Sequence, residues 1–296
     1  MTHFRLMLCG ITMLSLFSCD NRDYERTDLR NYPSDGIIRV HAENESFTRG
    51  GYDTGTLKEF RLFVTNSVSP NHTYQNVQMR KENGEFVAYK DGTPLTMQWQ
   101  NSFDSVDVVA ITGRMADVDK PFSVSDVNKP FSVSVLAEQS TNSAIEESDF
   151  LYYRKSGFIP ESDLVNGKIQ LLFSHMCAKL RVTLNLSKIG ASTVNPVKHI
   201  QVEGIVLERM FNPMTAQWEG SSASTASAII PFMVSYSYSA NDAIAVYDCI
   251  LVPQKVSLNG LVVNVVVEEK NYNYAVPEEV LFHSGTLYNL SVTVDN

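Results

Sequence analysis

From Pro33 onward, short runs of alternating apolar and polar residues are divided by turn residues. Ile38, Val40 and Ala42 alternate with Arg39, His41 and Glu43, and Phe60, Leu62 and Val64 alternate with Arg61 and Phe63. A period of two is the mark of a half-buried strand. Further runs at 85–89, 94–99, 106–112 and 131–136 read the same way, with Pro70-Asn71, Asn83-Gly84 and Asp91-Gly92 as turn signals between strands. A second series follows Asn166-Gly167, at 168–173, 178–186, 199–207, 229–238, 243–252, 261–268 and 286–294, with Asn259-Gly260 as a hairpin signal. No stretch carries the pattern of a long amphipathic helix. Two sets of about seven short strands predict an all-β chain of two β-sandwiches. The N-terminal sandwich is expected over 36–163 and the C-terminal one over 164–296, because Pro160-Glu-Ser-Asp163 interrupts the pattern between Ile159 and Gly167.

The first 35 residues obey a different rule. Arg5 precedes an apolar run of about 12 residues from Leu6 to Phe17, too short to span the roughly 30 Å of a bilayer core. It ends at Leu16-Phe17-Ser18-Cys19, and a polar stretch begins at Asp20. This is the layout of a bacterial lipoprotein signal peptide. Residues 1–18 are expected to be removed, Cys19 to be lipidated, and residues 19–35 to tether the fold to the membrane.

Charge narrows the partners. Without Arg5 the chain keeps 23 basic against 33 acidic residues, a net charge of −10. With no basic cluster, nucleic acid is not an expected partner. Neither a P-loop, a GxSxG elbow, an HExxH helix nor a dinucleotide-binding glycine fingerprint occurs. His41, His72, His175, His199 and His283 are scattered. Asp117 and Asp119 open like a calcium loop that then lacks its glycine and glutamate. The pairs Glu146-Glu147, Glu268-Glu269 and Glu278-Glu279 read as solvated loops. The expectation is a non-enzyme with no metal and no cofactor. Cys177 and Cys249, 72 residues apart in apolar runs, read as buried free thiols, although an exported protein can join such a pair. The eight-residue segment at 118–125 recurs at 127–134, a duplicated edge or loop rather than a solenoid.

The stretch Gly167-Lys-Ile-Gln-Leu-Leu-Phe173-Ser-His175-Met-Cys-Ala-Lys179-Leu-Arg-Val resembles the F-x-H-x-x-A-K-L-x-V signature that opens the second domain of fimbrillin-family proteins. These are pilus subunits and related lipoproteins of Bacteroides and Porphyromonas-like bacteria. Other pieces follow in the family's order: Trp99 with Val106-Asp-Val-Val-Ala110, Glu138-Gln139-Ser140 with Asp149-Phe-Leu-Tyr152, Ile250-Leu-Val-Pro-Gln254, and Phe282-His-Ser-Gly285-Thr-Leu-Tyr288. Phe173, His175, Lys179, Gly285 and Tyr288 are read as structural signature positions.

The resemblance implies tandem Greek-key, transthyretin-like sandwiches in an outer-membrane, cell-surface lipoprotein that acts in pilus assembly or adhesion. It also implies other fimbrial subunits as partners, joined by β-strand addition once a protease has cut after an arginine beyond the first strand. Arg49, before Gly50-Gly51, occupies that position and reads equally as an ordinary loop arginine. The chain stops eight residues after Tyr288, so a separate donor strand is not expected. An anchor, tip or accessory subunit, or a non-polymerising lipoprotein, is therefore favoured over a stalk pilin. The alternative is a glycan-binding surface lipoprotein that uses Trp218 or the Tyr236/Tyr238 pair, with Trp99 assigned to the core; a host or bacterial receptor is a further possible partner.

Overall fold

The computed structural model describes residues 31–44, 57–113, 127–189, 193–220, 226–239 and 242–295. Cys19, Arg49 and the whole first repeat copy, 118–125, lie outside the described residues. The first half holds β1 (Val40–Asn44), β2 (Glu59–Thr65), β3 (Tyr74–Glu82), β4 (Glu85–Lys90), β5 (Thr93–Pro94), β6 (Val106–Thr112), β7 (Phe131–Ser134), β8 (Leu151–Phe158) and β9 (Ile169–His175). Among the described residues, two short α-helices interrupt it, α1 (Asn142–Ser148) and α2 (Pro160–Asp163), along with a 3-10 turn at Pro70–His72. The second half holds β10 (Ala178–Asn185), β11 (Val197–Ile205), β12 (Glu208–Asn212), β13 (Gln217–Trp218), β14 (Ser227–Ile229), β15 (Phe232–Tyr238) and β16 (Ala243–Leu251). It ends with β17 (Lys255–Val256), β18 (Val262–Val267), β19 (Lys270–Ala275), β20 (Val280–Leu281) and β21 (Leu287–Thr293). The chain is all-β and builds β-sandwiches, as the alternation predicts.

Turn chemistry sets the register. Asn83-Gly84, Asp91-Gly92 and Asn166-Gly167 all have positive φ at both residues. That geometry matches the twist of the strands they join. The first sheet runs β1-β9-β8-β6-β2-β3-β4-β5, and it folds over on itself. The Phe60 ring on β2 lies 4.9 Å from Phe86 on β4 and 5.4 Å from Phe173 on β9. Lys168 reaches Glu85 at 2.6 Å across the same closure. The enclosed core contains Leu62, Val64, Val108, Ala110, Leu171 and Trp99, whose ring stacks on Phe158 at 5.9 Å.

The second sandwich pairs a β15-β16-β10-β21 sheet with a β14-β11-β18-β19 sheet. Leu180, Val182 and Leu184 pack in one core with Val202, Val263 and Val265. A β13-β12-β7 sheet and a β17-β20 pair complete it.

The two sandwiches are not cut apart at 163/164. β9, grouped by sequence with the second domain, pairs with β1 and β8 and fills the first core. β7, grouped with the first, pairs with β12. Central strands of the first sheet are buried on both faces. Phe60 and Leu62 face the first core while Phe63 joins the second. Val108 and Ala110 divide in the same way from Val109 and Ile111. Phe131, Phe150, Tyr152, Phe211 and Trp218 form a continuous aromatic cluster at this junction, with neighbouring centroids 5.0–6.5 Å apart.

Candidate assembly edge

The first described strand is held in an unusual way. β1 lies parallel to β9, with Val40 opposite Ile169 and Asn44 opposite Phe173. Just before it, the chain pairs on its other side with 97–99: Ile38 N–H donates to Met97 O and Trp99 N–H donates to Gly36 O, both at 2.9 Å. The segment therefore fills a slot between two stretches of the first sandwich. Ile38, Val40 and Ala42 point inward and are at most 7% exposed. The outward polar side chains bind within the segment itself. Arg39 makes a two-pronged contact with Asp35 at 2.6 and 3.0 Å, and His41 Nε2 lies 3.0 Å from Glu43. The Arg39 hydrogen bond, joined by the Ile37 N–H, holds the exposed Asp35 carboxyl down to about 2. Main-chain pairing and three apolar side chains thus hold the segment in place. Burying Ile and Val side chains contributes about 1.5–3 kcal/mol each. An empty slot would also leave strand edges unpaired.

The signature residues are structural anchors that run from the first core into the second sandwich. Phe173 is fully buried in the first core. His175 Nδ1 meets Asp149 Oδ2 at 2.7 Å, with both side chains 3% exposed or less. Lys179 Nζ lies 3.0 Å from Asp248 Oδ2, and Arg181 pairs with the same carboxylate at 2.8 Å. Gly285, at φ +63°, donates its N–H to Cys177 O. Tyr288 Oη accepts from His283 N–H at 2.9 Å and donates to Leu281 O at 2.7 Å.

Sequence reasoning missed Gln139. Its side chain is fully buried; Nε2 donates to Ile250 O at 2.9 Å and Oε1 accepts from Ile250 N–H at 2.8 Å. β15 stops pairing with β16 at Asp248, so this amide stands in for the next residue of a strand. The signal was present in Glu138-Gln139-Ser140, where a glutamine sits between two polar residues just after an apolar strand. Asp149 and Asp248 were also missed as the partners of His175 and Lys179. Cys177 and Cys249 are buried free thiols. Leu180 opposes Cys249, so Cys177 lies three residues away along the strand, roughly 10 Å, beyond disulfide reach. Burial pushes both thiols up. Among the described residues no cluster of three or more His, Cys, Asp or Glu could hold a metal.

The sequence profile of a family described as fimbrillin-like matches residues 48–296. The chain belongs to the fimbrillin-like family. That family is one of fimbrial and adhesin structural proteins of the cell surface. The fold agrees. A candidate cell adhesion protein of Bacteroides ovatus superposes with a TM-score of 0.61 at 18% identity, covering 88% of this chain and 92% of its own. A second, from Bacteroides uniformis, gives 0.58 at 16% identity, covering 89% and 94%. At such identities the likeness is one of fold. No curated protein sequence matches the chain. Within the fimbrillin-like fold, the match begins just after β1, and the profile spans all the structural anchors from Gln139 to Tyr288.

Proposed function

We propose that this protein is a lipid-anchored cell-surface subunit in pilus assembly or adhesion, joining its neighbours by β-strand addition at the β1 slot. The supporting observation is how residues 35–44 are seated: backbone pairing to 97–99 at 36–38 and to β9 along 40–44, apolar residues inward and polar contacts kept within the segment. A strand held that way can be replaced by any extended segment with small and branched apolar residues at alternate positions. Among the described residues, no ion pair to the rest of the fold would be lost. Cys19 supplies the lipid, and residues 20–35 supply the reach between membrane and slot. Retention of the segment makes an anchor, tip or accessory subunit. Its release by cutting after Arg49 makes a polymerising one.

The N-terminus of surface material separates these roles. A peptide with acylated Cys19, continuous through Arg49, is expected for an anchor or accessory subunit, and a new N-terminus at Gly50 for a polymerising subunit. Cys19→Ala is expected to release the protein from membranes or stall its precursor; undiminished partition into detergent would reject the anchor. Limited trypsin digestion followed by size-exclusion chromatography tests strand addition. Oligomers are expected only after cutting, and a cut chain that loses residues 36–44 yet stays a soluble monomer would rule it out.

A further inference from the structure

A pocket of about 530 Å³ opens where β12 and β13 meet β17 and β20, lined by Arg209, Gln217, Trp218, Lys255, His283 and Ser284 among others. It lies in the second sandwich, away from the β1 slot. Its most telling member is Arg209. One guanidinium arm donates to Pro253 O and the other to Glu219 O at 2.7 Å. Both acceptors are neutral carbonyls. Nε is buried and has no partner among the described residues. A guanidinium carries five N–H donors; with Nε out of a ligand's reach, the second hydrogens of the two terminal nitrogens remain for an anion. Burial pushes its pKa down, and no carboxylate offsets that. The carboxylates nearby are engaged elsewhere: Glu219 takes Asn212 Nδ2 at 2.6 Å, and Glu279 pairs with Lys255 at 2.9 Å. A half-buried cation without a counter-ion carries a cost, and a ligand carboxylate would supply the missing partner.

Trp218 forms the other half of the site. Its indole N–H donates to Met176 O at 2.9 Å and Ser284 Oγ at 3.1 Å. The ring is wedged against Phe211 and Phe150, at centroid distances of 5.4 and 6.1 Å. With its one donor committed, the ring offers only carbon to a ligand. Gln217 and His283 are exposed and supply hydroxyl-directed polar groups. An aromatic wall, an amide, an imidazole and one uncompensated guanidinium suit a ring with an apolar face, several hydroxyls and one negative charge. The volume falls within the range that holds a small ligand, about 300–1,000 Å³.

We propose that this pocket binds a saccharide bearing a carboxylate, with Arg209 taking the carboxylate and Trp218 packing against the sugar ring. Calorimetric titration of the full chain in detergent with glucuronate and N-acetylneuraminate tests this, with glucose and acetate as controls. Saturable binding of at least one acidic sugar at about millimolar Kd is expected, with glucose and acetate at least about tenfold weaker. Trp99→Phe leaves Trp218 as the only tryptophan, so its fluorescence should change on the same isotherm. Arg209→Gln should weaken binding about tenfold or more, and Arg209→Lys should retain part of it. Should Arg209→Gln unfold the chain, His283→Ala, at an exposed position, is expected to weaken binding several-fold. Three results overturn the proposal: neither acidic sugar binds, glucose binds as well as they do, or acetate alone matches them, which would make the pocket a general anion site.

Discussion

Asp149 and His175 come from separate signature motifs and meet in a buried hydrogen bond, so neither can be understood alone. Asp149 caps the end of α1 and His175 ends β9. Removing one leaves the other buried without its partner, which costs more than the bond itself contributes. Asp149→Ala is therefore expected to destabilise by about 3 kcal/mol in urea melts; a loss below about 0.5 kcal/mol would show the pair to be incidental. Glycines set the second residue-scale constraint. Gly204 sits at the bulge in β11 with φ +82°, and a Cβ there would stand 1.7 Å from the Gly260 carbonyl oxygen. Gly204→Ala must bear both the left-handed backbone and the clash, about 3 kcal/mol or more together. Gly285→Ala meets only the His175 carbonyl at 3.4 Å and should cost about 1–2 kcal/mol, the backbone part alone. The ordering of these two variants in denaturant is the check. At Cys177 and Cys249 the raised pKa and complete burial predict that thiol reagents label neither residue until the chain unfolds.

At the scale of elements, closure of the first sandwich comes from buried side chains rather than from its ion pair. Lys168 holds the Glu85 carboxyl below its ordinary value through their hydrogen bond. That contribution is present above the unfolded glutamate pKa and fades as pH falls through the folded one. Glu85 is 64% exposed, so Lys168→Ala should cost less than about 1 kcal/mol. Phe173→Ala, on the neighbouring β9, should cost about 3–5 kcal/mol. Similar losses for both variants would contradict this account. How readable each element was follows from the same physics. β1, β6 and β10 announce themselves because each buries alternate or successive apolar residues. β3 does not. Asn76, at φ +54°, sits in a bulge that spaces Tyr74, Val77 and Met79 unevenly, so the period of two is broken. β19 fully buries no residue; Tyr272 and Tyr274 are only half-buried against the second core, and β18 pairs along its length. The signature positions were legible as structural, yet their partners were not. A hydrogen bond between residues 26 apart, such as His175 to Asp149, leaves no local period. Sequence likewise placed β9 and β7 by their order in the chain, whereas sheet pairing exchanges them between sandwiches.

For the whole molecule, this exchange decides how the chain unfolds. β9 cannot keep its place if the first core melts, and it leads directly into β10 of the second sandwich. β7 stays only while β12 holds it. The outer faces of β2, β6 and β8 give Phe63, Val109, Ile111 and Tyr152 to the second core, and Tyr152 Oη donates to Pro213 O across the junction. Losing either sandwich would expose the aromatic cluster of the other. Each buried aromatic left bare forfeits about 1.5–3 kcal/mol, so the five at the junction together outweigh much of the net stability of a domain, about 5–15 kcal/mol. The two sandwiches should therefore melt as one cooperative unit, against the usual behaviour of tandem domains. The two tryptophans are placed to test this, since Trp99 stacks in the first core and Trp218 packs in the second. Trp99→Phe and Trp218→Phe variants, each reporting on the remaining indole, are expected to show coincident urea midpoints once corrected for their own stability changes. A fragment beginning at residue 164 should stay unfolded, because it carries β9 without β1 or β8 and lacks β7. Separate midpoints, or a cooperatively folded 164–296 fragment, would mean that the junction merely brings two self-sufficient domains together. A single transition would bear on assembly too, because a strand added at the β1 slot would then stabilise the second sandwich along with the first.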